Sequence, residues 1–224
     1  MNVLGPLLLA LCLVHTQGFK LAVDVKTSLT TAQIKCLQTN YSIQAVITRV
    51  YKPDNTGSFD DNSVGTINLS QKANMPVEIY MEINPNPAIR QGYDQVDELY
   101  KQLKKHGFSF RRVWVKVTSD MPWGSDVTVN QGMISQVLGR LRQYGFAVGI
   151  LTDSFDWGLI TNYWTQAGDD VNLWYTNVIA YGASGETAAN FNDYKAFGVA
   201  DTPVMKQYGM FENLCNVPLN RDCF

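Results

Sequence analysis

Arg112-Val113-Trp114-Val115-Lys116-Val117-Thr118-Ser119-Asp120 sets three valines at every second position, with one aromatic residue and one lysine between them. β-Branched and aromatic side chains pack well on a pleated, buried surface, so this run reads as an interior strand. Amphipathic segments flank it. Over 93–105, Val96, Leu99, Tyr100 and Leu103 fall on one helical stripe that stops at Gly107. Over 130–144, Met133, Ile134, Val137, Leu138 and Leu141 do the same before Gly145. A strand between two helices is the unit of a parallel sheet. In a barrel of such units, working side chains gather beyond the C-terminal ends of the strands. Lys116, Thr118 and Asp120 hold those positions here.

The same alternation extends in both directions. Further strands are expected over 21–25, 45–51, 77–83, 147–153 and 171–181, and further helices over 30–37, 63–73 and 155–163, the first capped by Ser28 or Thr30. Helical pattern thins out after residue 165, and 182–198, 203–208 and the tail read as loosely structured. The fold class is therefore α/β, an irregular TIM-like β/α barrel with a degenerate second half.

The chain has 224 residues and a formal charge of −2, which gives no electrostatic footprint for nucleic acid or an anionic membrane. Residues 1–18 read as a secretory signal, because the apolar run Leu7–Val14 is too short to span a bilayer and Thr16 and Gly18 follow it. Residues 19–224 then form one domain, expected to be secreted and monomeric. Cys36, Cys215 and Cys223 remain beyond the leader. In an oxidising compartment one bridge is expected, Cys36–Cys215 or Cys36–Cys223, worth ~4 kcal/mol on the chain-entropy model. Asn40-Tyr41-Ser42 and Asn68-Leu69-Ser70 are glycosylation sequons.

Nucleotide loops, a GxSxG elbow and an HExxH motif are all missing. His106 is the sole histidine beyond the leader, so a Ser-His-Asp or Cys-His site lacks its base. No metal site and no cofactor are expected, and carboxylates are the remaining acid/base groups. Asp24, Asp120 and Asp153 stand at or after strand ends, and Glu78 and Glu82 flank the third strand.

Asp24, Cys36-Leu37, Val46-Ile47-Thr48-Arg49 and Val96-Asp97-Glu98-Leu99 come first in a series that continues through Trp114, Trp123-Gly124-Ser125, Gly149-Ile150, Leu173-Trp174-Tyr175 and Lys206-Gln207-Tyr208. In order and spacing the series resembles the lysozymes of glycoside hydrolase family 25, especially their nematode branch. The resemblance implies an irregular α/β barrel, hydrolysis of bacterial peptidoglycan glycan strands, and a secreted role in innate defence. It carries Asp24 over as a catalytic acid. It also places Lys116 and Thr118 where the family has an Asp-x-Glu pair. Counted from Cys215, Asn220 falls on the family's last acidic position and Asp222 on the Asn position, and a two-residue shift restores the acid. Candidate catalytic residues are therefore Asp24, Asp120 (if the strand end slips or bulges) and Asp222. Candidate glycan-binding residues are Trp114, Lys116, Trp123 and Trp174. A buried lysine requires a partner, and Lys116 is expected to pair with Asp24. Two readings follow: a peptidoglycan hydrolase, or a silent relative that binds the glycan in the old cleft.

Overall fold

The computed structural model describes residues 18–224. The leader expected over 1–18 therefore lies outside the described residues, apart from Gly18. The elements run β1 (Leu21–Val25), α1 (Thr31–Tyr41), β2 (Ile43–Lys52), β3 (Ser58–Phe59), α2 (Asn62–Lys72), β4 (Val77–Met81), α3 (Gly92–Lys105) and β5 (Arg112–Lys116). They continue with α4 (Val127–Gln143), β6 (Ala147–Thr152), α5 (Ser154–Thr161), β7 (Asn172–Thr176), β8 (Met205–Leu214) and β9 (Val217–Cys223). The sheet order is β1-β9-β8-β7-β6-β5-β4-β2-β3, and β1 also pairs with β2. Every strand but the short β3 thus belongs to a closed barrel. Neighbours from β1 through β2, β4, β5, β6 and β7 to β8 are parallel, while β9 runs antiparallel to both β8 and β1.

Side-chain alternation sorts the core into two layers. Val113, Val115 and Val117 face the helices with Val96, Leu99, Val137 and Leu141. Ala22, Ile47, Tyr80, Trp114, Leu151, Trp174 and Met205 fill the barrel interior. Trp114 and Trp174 meet edge-to-face there, 5.6 Å between ring centroids. Gly149 lies beside Trp114 on β6, and a Cβ at that position would fall 2.1 Å from the indole.

Local chemistry sets the element ends. Thr30 caps α1 in a reciprocal capping box with Gln33. Asp126 caps α4 by accepting from the Thr128 and Val129 N–H groups, so this helix begins three residues before the expected start. Asp153 follows β6 and caps α5 by accepting from the Asp156 N–H. β7 stops at Thr176, earlier than expected, and releases the following residues into a loop.

The tail departs most from expectation. Residues 205–223 form a long hairpin whose turn residues, Cys215 and Asn216, both have positive φ (55° and 59°). That conformation matches the twist of a two-residue hairpin turn. The turn brings Cys215 to Cys36 on α1, and this is the bridge that forms, tying positions 179 residues apart. Cys223 stays a buried free thiol, pushed up to about 12 by its burial. Among the described residues, no helix is long and apolar enough to cross a membrane.

Candidate functional site

A cleft of ≈ 660 Å³ opens at the C-terminal ends of the parallel strands. Inward positions at the strand tops supply its floor: Asp24 from β1, Lys116 and Thr118 from β5 and its extension, Asp153 after β6, Gln207 from β8 and Asn220 from β9. The period-2 alternation that puts Trp114 inside the barrel puts Lys116 directly above it.

Glu82, one residue past β4, is the hub of the ionic network. Its Oε1 accepts from Lys26 Nζ (2.7 Å) and Lys116 Nζ (3.1 Å), and its Oε2 accepts from Arg49 Nη1 (2.8 Å). Arg49 in turn donates to Asp60. Lys116 makes a second bond, 2.6 Å to Asp120 Oδ2, and the Thr118 hydroxyl donates to the other oxygen of Asp120. Lys116 therefore pairs with Glu82 and Asp120. The expected pairing with Asp24 does not form, because Glu82 points inward from the adjacent strand and offers the nearer carboxylate.

Burial alone would raise the Glu82 carboxyl, but Lys116, Lys26 and Arg49 hold it below the usual glutamate range. Burial would likewise raise Asp120, and Lys116 and Thr118 instead hold it low. Burial would lower the Lys116 ammonium, and Glu82 and Asp120 keep it above the usual lysine value. At neutral pH Glu82 and Asp120 are deprotonated and have no proton to give a leaving oxygen. The Lys116 ammonium, raised by its two carboxylates, holds its protons too tightly to serve as the acid.

Asp24 has the opposite character. Burial raises it, although it accepts 2.7 Å from Gln207 Nε2 and 3.1 Å from Asn220 Nδ2. Asp222 lies two residues along β9 from Asn220, wholly enclosed, with Trp174 Nε1 donating to its Oδ1 at 3.0 Å. Its Oδ2 has no partner. Burial and then the charge of Asp24 raise Asp222 well above the usual aspartate value. The two buried carboxyls are close enough to interact, so they share the site's acid character.

Three tryptophans expected to bind glycan do not line the cleft. Trp114 and Trp174 are fully buried in the barrel core and donate to Glu78 and Asp222. Trp123 is half-buried against the helix-side core. Aromatic residues that do line the cleft with open faces are Phe155, Tyr181 and Phe211. They sit on loop, bulge and helix-start positions, where hydrophobic periodicity carries no signal. Asn220 and Gln207 were legible only by counting within the resembling motifs, and the role of Glu82 as hub had no local signature.

The lysozyme-like protein 1 family model matches residues 15–208. Lysozyme-like protein 7 of Caenorhabditis elegans is 39% identical over 209 residues, covering 92% of this chain and 72% of its own. A probable family 25 lysozyme of Dictyostelium discoideum is 25% identical over 87% of this chain and 85% of its own. The chain belongs to the nematode lysozyme-like branch of glycoside hydrolase family 25. Solved structures agree on the fold of this lysozyme-like protein. A bacterial lysozyme from Streptomyces coelicolor superposes with a TM-score of 0.68 at 15% identity, over 93% of each chain. The modular autolysin LytC from Streptococcus pneumoniae, in complex with a synthetic peptidoglycan ligand, gives 0.67 at 14% identity, over 94% of this chain and 47% of its own.

Proposed function

We propose that this lysozyme-like protein is a secreted defence factor that holds bacterial cell-wall glycan in the barrel-mouth cleft, with hydrolysis reduced or lost. One observation carries the reading: the ammonium of Lys116 is locked between Glu82 and Asp120. Glycoside cleavage needs one carboxylic acid to protonate the leaving oxygen and a second carboxylate to act on an oxocarbenium-like centre. Lys116 sets a fixed cation where positive charge develops, and Thr118 is no acid at neutral pH. Loss of a general acid alone costs on the order of 10²–10⁴ in rate. The family membership, and the LytC neighbour solved in complex with a synthetic peptidoglycan ligand, support glycan as the ligand. The Cys36–Cys215 bridge supports an oxidising, extracellular destination.

Hydrolysis keeps one observation in its favour. Asp24 is raised and Asp120 lowered, and both line the cleft. Carboxyls whose environments push them apart are the mark of an acid and its partner. Turbidity clearing of purified bacterial cell walls, run beside a pull-down on the same walls, separates the readings. Binding without clearing is the expected result. Clearing that disappears in both Asp24→Asn and Asp120→Asn would restore the hydrolase reading.

A further inference from the structure

Phe211 is held in an unrewarded conformation. It interrupts β8 where the register to β9 shifts, between Gly209 and Glu212, and its φ is +55°. Side chains bearing a Cβ avoid that region, and an aromatic residue there is an outlier. The ring gains no burial in return, since it is 65% exposed. What it meets is Tyr181, 70% exposed, in an edge-to-face contact with 4.6 Å between centroids.

Both partners are pinned from behind. The Phe211 N–H donates 2.9 Å to Asn220 Oδ1, and the amide of the same asparagine donates 3.1 Å to Asp24 Oδ1. One side chain therefore ties the backbone of Phe211 to the cleft's buried acid. The loop that carries Tyr181 is fastened to β8 by Gly182 N–H to Met210 O (2.7 Å) and Thr187 N–H to Tyr208 O (3.0 Å). Both rings line the cleft. Strain kept at an exposed aromatic, with its position fixed against a site acid, is the pattern of a functional constraint.

We infer that Tyr181 and Phe211 form a stacking platform at the cleft lip for the apolar C–H face of one pyranose ring of an N-acetylhexosamine glycan. This rests on the reading of the cleft as a glycan site and specifies where a ring is gripped. A sugar presents C–H groups on its faces and hydroxyls around its rim. Two exposed rings, with the polar groups of Asn177 and Lys195 also on the cleft wall, match that distribution. The buried tryptophans of the barrel have no free face to offer.

Phe211→Gly is the decisive variant, because glycine takes the positive φ without strain while the ring is removed. Binding of full-length mature protein to purified bacterial cell walls and to a soluble N-acetylglucosamine tetramer is measured for wild type, Phe211→Gly, Tyr181→Ala and Phe211→Trp, each with its melting temperature. Phe211→Gly and Tyr181→Ala are expected to bind ~10-fold more weakly, with Phe211→Trp within ~3-fold of wild type. Phe211→Gly should melt no lower than wild type. Wild-type binding that persists unchanged in Phe211→Gly and Tyr181→Ala overturns the platform and leaves the glycan cleft standing. Failure of the wild type to bind either probe overturns both.

Discussion

Glu82 accepts from three cations, two of which, Arg49 and Lys116, are largely shielded from water. Removing one member of such a network leaves buried charge uncompensated, which costs far more than the network contributes relative to an apolar core. Glu82→Gln is therefore expected to destabilise by about 3–5 kcal/mol, measured by urea denaturation at neutral pH. Glu82→Gln combined with Lys116→Met should recover part of that loss. The folded-state values of Glu82 and Asp120 are lowered, so their contribution is present above their unfolded values and is lost as pH falls through the folded ones. Asp222 has the opposite sign. Its value is raised, so the fold is favoured below the unfolded value and loses stability as pH rises from there. Asp222→Asn keeps an acceptor for Trp174 and removes that loss. It should stabilise the protein at pH 7 and have no such effect near pH 3, read from urea denaturation midpoints at the two pH values.

At the scale of elements, β6 and the β8–β9 hairpin make separate demands. Gly149 exists to let the Trp114 indole lie against β6, and a methyl there would overlap the ring. Gly149→Ala is expected to lose about 1–3 kcal/mol or more, read as a lower denaturation midpoint with unchanged slope. On the hairpin, Glu212 has a buried Oε1 with no partner, while Arg221 donates 2.5 Å to Glu186 Oε1. Burial, followed by the neighbouring Glu186 carboxylate, pushes Glu212 up to about 7. The raised value means that this pair's stabilisation is complete below pH 4.5 and is lost as pH rises through about 7. Glu212→Gln should flatten the melting temperature between pH 5 and 8, where the wild type declines. A decline of equal size in the variant would show that another group titrates.

For the whole molecule, Cys36–Cys215 fastens the first helix to the last hairpin and closes nearly the entire chain. Cys36→Ser is expected to cost ~4 kcal/mol, and reductant should lower the wild-type melting temperature without affecting the variant. The bridge also secures β9, the antiparallel strand that closes the barrel between β8 and β1 and delivers Asn220 to Asp24. Loosening it should therefore weaken cell-wall binding as well as stability.

Local pattern sufficed for much of this molecule. The valines at 113, 115 and 117, the stripes of α3 and α4, and the alternation of strands and helices specified a β/α barrel, because burial on one face leaves a period in the sequence. That same period put Lys116 inside the mouth, and motif spacing singled out Asp24 as an acid. Tertiary structure alone decided three other matters. Asn220 and Asp222 point into the barrel and the register shifts around Gly209, so the alternation of β8 and β9 is too broken to read as a hairpin. Trp114 and Trp174 became core because strand order brings them together, whereas sequence favours core for a tryptophan without excluding a ligand role. Finally, Lys116 took Glu82 and Asp120 in place of Asp24, since a buried cation pairs with the nearest carboxylates, and nearness across a barrel is set by strand neighbours that lie far apart in the chain.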